Sequence, residues 1–316
     1  MLYFIVNKKS RSGKGAEIWS EVQTALDARH IRYQAYTTEY EGHARLLAEE
    51  ISSRGDGEIC LVAVGGDGTA NEVLNGIGSF ERVRFGTIPT GSGNDLARGL
   101  HITGTPTENL VQILDCMAKP REENLCMDLG QVSWNGCSKP RIFAISSGIG
   151  LDALVCKKAL KSKLKDVLNK VRLGKLTYVF LTVASLFSME TADAAIQAER
   201  TKPRRRKRVI YAAAMNFAAE GGGVRMAPAA DAADGRLSVC IASGIPKWRT
   251  FFYLPLLVAG KHTGIRGFEV NDCGTFRIKL NKPMVLHADG EYCGDVTEAV
   301  FACLPHRLYV LRQADW

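Results

Sequence analysis

In the N-terminal part of the chain, unbroken apolar runs alternate with stretches whose apolar positions recur every three to four residues. Leu2 to Val6 predicts a buried strand. A glycine-punctuated turn, Asn7 to Gly15, follows, and then Ile18, Val22, Ala25 and Leu26 keep the period of a helix. The same reading predicts a strand over Ile31 to Thr38, a helix over His43 to Ser53, a buried strand over Ile59 to Val64, a helix over Thr69 to Ile77 and a strand over Phe85 to Pro89. Strand and helix patterns in alternation imply an α/β domain, a parallel sheet with helices on both faces. Ligands of such sheets sit at the carboxyl ends of strands, where loops lead into helix N-termini. The loops after the first, third and fourth strands qualify.

Beyond about residue 126 the texture changes to shorter β-like runs separated by Gly, Pro, Asn and Asp: Arg141 to Ser146, Val209 to Met215, Leu237 to Ala242 and Thr275 to Leu280. This predicts a second, mainly β sandwich domain. The domains are therefore placed at 1–126 and 127–316, and a return of the last residues to the first domain is left open. A length of 316 residues suits two domains. A helix-like basic stretch, Leu160 to Leu173, and an apolar segment, Trp248 to Gly260, interrupt the β pattern. The longest apolar runs, such as Phe251 to Ala259, fall short of the ~20 residues of a membrane span. Leu2 to Val6 is too short for a signal-peptide core and has no basic residues before it, so the expected location is cytoplasmic. Nine cysteines without a C-x-x-C pair read as scattered reduced thiols.

Charge is concentrated. The chain carries a net +8, but Lys157 to Lys175 alone holds eight Lys or Arg against one Asp, and Lys202 to Arg208 holds six against none. The remainder is acidic.

The chemistry-bearing loop is Gly65-Gly66-Asp67-Gly68-Thr69, directly after a buried strand and directly before a helix. Its glycines allow close backbone approach, and their N–H groups with the helix N-terminus offer an anion site. Phosphate is the natural occupant. Asp67 would repel a bare phosphate, so it implies a cation, a ribose hydroxyl or a proton to accept. The alternative is a tight turn in which Asp67 caps its own helix. Pro89-Thr90-Gly91-Ser92-Gly93-Asn94-Asp95 repeats the logic after the next strand, with short hydroxyl and amide side chains as donors. Ser10-Arg11-Ser12-Gly13-Lys14-Gly15 can supply a third wall, with Lys14 as a point charge. Neither a Walker A loop nor a G-x-G-x-x-G fingerprint is present.

Gly65 to Thr69 with Asn71-Glu72, then Pro89 to Ala97, resembles the diacylglycerol kinase catalytic domain of bacterial lipid kinases and of sphingosine and ceramide kinases. The resemblance continues through Met127-Asp128-Leu129-Gly130, Gly148 to Ala153, Asn216 with Gly221 to Gly223, Pro228 with Asp234 to Leu237, and Asp289-Gly290-Glu291. Asn7-Lys8 stands where the family usually has Asn-Pro. The resemblance implies an NAD-kinase-like α/β nucleotide domain, a β-sandwich domain carrying the lipid side, and ATP with Mg²⁺ as co-substrate and metal. By position, Asn7, Ser12, Gly13, Lys14, Gly65, Gly66, Asp67, Gly68, Thr69, Asn71, Glu72, Thr90, Gly91, Ser92, Gly93 and Asn94 would line ATP. Asp67, Glu291, Asp95 and Asp128 would serve the metal or its water network. Asp289 is the favoured base for the lipid hydroxyl, with Glu291 on metal or orientation and Asp67 as competitor.

The implied reaction is phosphoryl transfer from ATP to a lipid alcohol, foremost diacylglycerol. A sphingoid base, another glycerolipid or an isoprenoid alcohol remains an alternative, as does a non-catalytic membrane-binding regulator. NAD kinase shares the Gly-Gly-Asp-Gly loop but not the second-half motifs. The partner expected is a lipid at the inner face of an anionic membrane, reached through Lys157 to Lys175 and Lys202 to Arg208. Solvated basic faces are the alternative. No nucleic-acid module accompanies these stretches, and oligomeric state stays open. Phe251 to Ala259 is one candidate wall for acyl chains. His287 reads as a structural strand histidine, and no histidine has the setting of a hydrolase triad or zinc site.

Overall fold

A computed structural model describes residues 1–55, 57–91, 93–161 and 174–313. The chain folds as two compact units, one of Met1–Leu129 with the chain from Leu304 onward, the other of Gly130–Cys303.

In the first unit, strands β1 (Leu2–Val6), β2 (Tyr33–Thr37), β3 (Ile59–Gly65) and β4 (Val83–Pro89) are parallel in the order β2-β1-β3-β4. The C-terminal chain adds a fifth parallel neighbour, Tyr309 and Val310 lying opposite Arg84 and Phe85. The helices are α1 (Lys14–Ala28), α2 (His43–Ser52), α3 (Asp67–Gly76), α4 (Asp95–Gly99) and α5 (Pro106–Ala118). Leu2, Phe4 and Val6 turn one face of β1 toward Trp19, Val22 and Leu26 of α1, with Leu110 and Ile113 of α5 in the same core. Successive strand residues point to opposite faces, and Ile5, Leu61 and Ala63 are buried too. Such unbroken burial requires cover on both faces. The hydrophobic pattern does not single out α5, which starts at a Thr105–Glu108 capping box with Pro106 at its first turn.

The second unit is antiparallel. It holds the end of β5 (Asn124–Trp134), β6 (Arg141–Phe143), β7 (Ser146–Gly150), α6 (Leu151–Lys161), α7 (Gly174–Ser188), β8 (Ala192–Ala198), β9 (Arg204–Met215), β10 (Leu237–Ser243), α8 (Lys247–Val258), β11 (Phe268–Cys273), β12 (Thr275–Ala288) and the first part of β13 (Glu291–Gln313). Along one edge, the long strands β9 and β12 each serve two partners. Their amino-terminal halves pair with β8 and their carboxyl-terminal ends with β7, which closes the sheet around a core that includes Ile149, Tyr211, Phe276 and Phe301.

Three expectations change here. The run Arg141 to Ser146 is two strands, because the N–H groups of Ala144, Ile145 and Ser146 go to the Asp289 carboxylate rather than to one ladder. The basic run at Arg204 to Arg208 is the start of strand β9. The strand begun at Thr275 continues to Ala288 with a register shift between Lys279 and Met284, where Pro283 has no N–H for the ladder. Of the basic stretch Lys157 to Lys175, residues 162–173 lie outside the described residues. Among the described residues no helix is long and apolar enough to cross a membrane.

Candidate functional site

The three loops at the carboxyl ends of β1, β3 and β4 are tied into one cradle. Asn7 donates its backbone N–H to Val64 O at 2.9 Å, and Thr90 does the same to Gly65 O at 2.9 Å. The Asn7 amide donates to Thr69 Oγ1 at 3.1 Å, and the Ser10 and Thr90 hydroxyls share a hydrogen bond of 2.6 Å. Glycine is needed where the loops touch. A Cβ on Gly91 would lie 3.2 Å from Gly66 Cα and 2.8 Å from Asn94 Oδ1, and one on Gly15 would strike Asn7 O at 2.3 Å. Helices α1 and α3 both start from glycine, Gly13 in the left-handed region (φ 99°) and Gly66 extended, and neither has a side-chain cap. The Lys14 N–H is itself bonded to Ser10 O and Arg11 O, but with no side chain capping either helix the positive end of each dipole faces an anion. Lys14, the first residue of α1, is exposed. Asn94 is itself left-handed (φ 50°), and its Oδ1 is buried with no partner among the described residues.

Asp67 does not cap its own helix. It is the first residue of α3, and its carboxylate accepts the N–H groups of Asp95 (3.0 Å) and Leu96 (3.1 Å), capping α4 across the cradle. Asp95 pairs with Arg98, whose guanidinium also reaches Gly93 O at 2.9 Å. Gly93 sits against Asp67, where an added Cβ would lie 3.3 Å from Oδ2. Two residues grouped with the site have their carboxylates elsewhere. Glu72 accepts the N–H groups of Gly42 (3.0 Å) and Ala44 (3.1 Å) at the start of α2. Asp128 is fully buried and accepts the His306 N–H at 2.7 Å, fastening the returning C-terminal chain. Asn71 is buried in α3 and accepts from Asn75. Ser92 and the Ser12 side chain lie outside the described residues.

In the second unit Asp289 and Gly290, both at positive φ (48° and 83°), form the two-residue turn joining β12 to β13. The Asp289 carboxylate takes the N–H groups of Ala144 (2.9 Å), Ile145 (2.8 Å) and Ser146 (3.1 Å), and its own N–H returns to Ser146 O at 2.8 Å. Asn216 holds the same bend from behind, giving its amide to Ala144 O at 3.0 Å. Glu291, at the first position of β13, is half-buried.

Beneath this turn lies a buried polar network that the sequence does not announce. Ser146 Oγ bonds Glu220, and His287 Nε2 lies 3.3 Å from Asp152 Oδ2. Gly290 donates its N–H to His287 Nδ1 at 3.1 Å, so the neutral ring carries its proton at Nε2 and points it at Asp152. Burial opposes a charge on this ring. The carboxylate of Asp152, with Glu220 and Asp289 nearby, outweighs it, and the His287 pKa is raised above the ordinary imidazole value. Asp152, Glu220 and His287 offer ligand atoms within 4.8 Å of one another. A cation there would have to displace the Nε2 proton while Gly290 N–H occupies the other nitrogen, so the trio is read as support for the Asp289 turn. Asp152 and Asn216 stand in recognisable motifs. Glu220 had no signal, because its partners are remote in sequence.

The family profile described as "Diacylglycerol kinase catalytic domain" matches residues 1–126, and that described as "YegS C-terminal NAD kinase beta sandwich-like domain" matches residues 145–312. Over 92% of this chain, and 93% of the relative, the sequence is 30% identical to a Bacillus subtilis protein named "Putative lipid kinase YtlR". The chain belongs to the diacylglycerol kinase family of lipid kinases. Over 74% of its length it is 27% identical to the diacylglycerol kinase of Bacillus subtilis, covering 71% of that protein. A crystal structure described as a "putative diacylglycerol kinase" from Bacillus anthracis shares the fold, with a TM-score of 0.74 at 21% identity over 99% of this chain and 97% of that one.

The family is one of kinases, which implies ATP as phosphoryl donor. The cradle suits its phosphates: two helices start there without a side-chain cap, and the buried Asn94 Oδ1 can accept from a nucleotide hydroxyl or amino group.

Proposed function

We propose that this protein transfers the γ-phosphoryl group of ATP to a lipid hydroxyl, with diacylglycerol giving phosphatidate as the leading reaction. The observation that carries this reading is the three-loop cradle, where glycine contacts, two uncapped helix N-termini and the Asp67 carboxylate meet. Backbone N–H groups of residues 66–69 and the glycine loop after β4 hold phosphate oxygens, and Lys14 adds a charge. Magnesium, if held by Asp67 with Asp95, would neutralise charge on the transferring group.

The lipid oxygen forms the new bond to phosphorus as the bond to the ADP oxygen breaks, and a carboxylate takes the hydroxyl proton. Asp289 is the favoured acceptor. Three backbone donors fix its orientation. Asp67 is the competitor, with two such donors. We further propose that the enzyme works at the surface of an anionic membrane.

The test is incubation of the purified protein with Mg²⁺, γ-labelled ATP and a mixed lipid extract, with Asp67→Ala as control. One labelled lipid, absent from the control, establishes the reaction and its acceptor. No label while ATP still binds would point to a regulator on the kinase scaffold.

A further inference from the structure

Helix α8 carries two apolar stripes, and only one of them is used. Thr250 and Leu257 are buried, and Tyr253 packs edge-on against Phe268 with ring centroids 6.0 Å apart. On the opposite side Trp248 and Phe252 are 56% and 66% exposed, with Phe251, Leu256 and Val258 exposed beside them. Phe187 of α7 extends the patch, its ring 6.2 Å from that of Phe251. The outer face of a surface helix is ordinarily polar, and a contiguous aromatic ridge marks an interaction site.

The charge around the ridge says what the partner is. From Gly244 to Gly267 the chain has Lys247, Arg249, Lys261 and Arg266 and no acidic residue. The loop that starts α8 is bonded directly to the basic start of β9: Gly244 donates its N–H to Lys207 O at 2.9 Å, and the Arg208 guanidinium donates to Gly244 O at 2.9 Å. Lys202, Arg204, Arg205 and Lys207 are exposed there, while Arg206 is paired with Glu269. A second copy docking face to face would set these cations against each other. Aromatic and aliphatic side chains beside a cluster of Lys and Arg match a membrane interface, where rings enter the acyl boundary and cations meet anionic headgroups.

We infer that the exposed face of α8, with Phe187 and the basic start of β9, is the surface by which this protein inserts into an anionic bilayer. The inference rests on the lipid-kinase reading for its purpose but not for its test. Vesicles of phosphatidylcholine with phosphatidylglycerol, free of diacylglycerol and ATP, are titrated into the full-length protein. Trp248 emission is expected to shift to the blue and to be quenched by brominated acyl chains. Trp248→Ala with Phe187→Ser should weaken vesicle binding at least tenfold, and charge reversal at Arg205 or Lys207 by about fivefold each. Phosphorylation of a dispersed short-chain diacylglycerol should be unchanged in these variants, so failure of that assay in the wild type reports on the kinase reading alone. Unaltered vesicle binding by the double variant, or conversion of a wild-type dimer to a monomer without loss of vesicle binding, would overturn the inference.

Discussion

At the scale of single residues, the two carboxylates singled out by the motifs each hold the backbone of another segment. Asp67 caps α4 from a neighbouring loop, and Asp289 gathers three N–H groups of a strand break. Asp67→Asn loses one acceptor oxygen and a charge. We expect turnover to fall about a hundredfold or more, while stability drops by only about 1 kcal/mol; steady-state kinetics with parallel denaturant melts checks both. Retained turnover would move the phosphate-side charge elsewhere. His287 has a folded-state pKa above its unfolded value of about 6.5. Its charge therefore contributes stability in full below about pH 6.5, and the contribution is lost as pH rises through the folded value. The stability gap between the wild type and His287→Gln should be widest below about pH 6.5 and shrink as the pH is raised beyond it; a gap flat in pH would refute this.

At the scale of elements, close approach decides what the loops can do. Gly76 ends α3 against α2, and a Cβ there would lie 2.1 Å from Arg45 O. Gly76→Ala should cost about 1–3 kcal/mol, read as a lower midpoint in urea. Glu72, placed by the motif among nucleotide-facing residues, instead holds the start of α2 through Gly42 and Ala44. Glu72→Ala should destabilise by about 1 kcal/mol with the KM for ATP unchanged, and a raised KM would return Glu72 to the nucleotide. The strand and helix starts were legible because each is an apolar run meeting a glycine turn. The break at Ala144 and Ile145 was not, because its cause is a carboxylate far along the chain at Asp289.

At the scale of the whole molecule, the chain visits the first unit twice. Residues from Leu304 return to pair beside β4, where Arg121 stacks on Tyr309 at 4.1 Å and Arg312 donates to His101 O at 2.7 Å. Removing residues 304–316 would leave β4 as an open edge. The amides of Arg84 and Phe85 should then lose hydrogen-exchange protection, and unchanged protection would show the return strand to be dispensable.

Local pattern by itself determined the alternation of strands and helices and the glycine loops at three strand ends, while the family followed from the resemblance of motifs spread over most of the chain. The first two are properties of neighbouring residues: side-chain period, and the freedom of glycine to bring a backbone close to a ligand. Only tertiary structure decided what each carboxylate holds. Asp67 meets Leu96, Asp289 meets Ala144, Glu220 meets Ser146 and Asp128 meets His306. Hydrogen bonds of that kind depend on chain segments brought together by packing, and no spacing in the sequence records them.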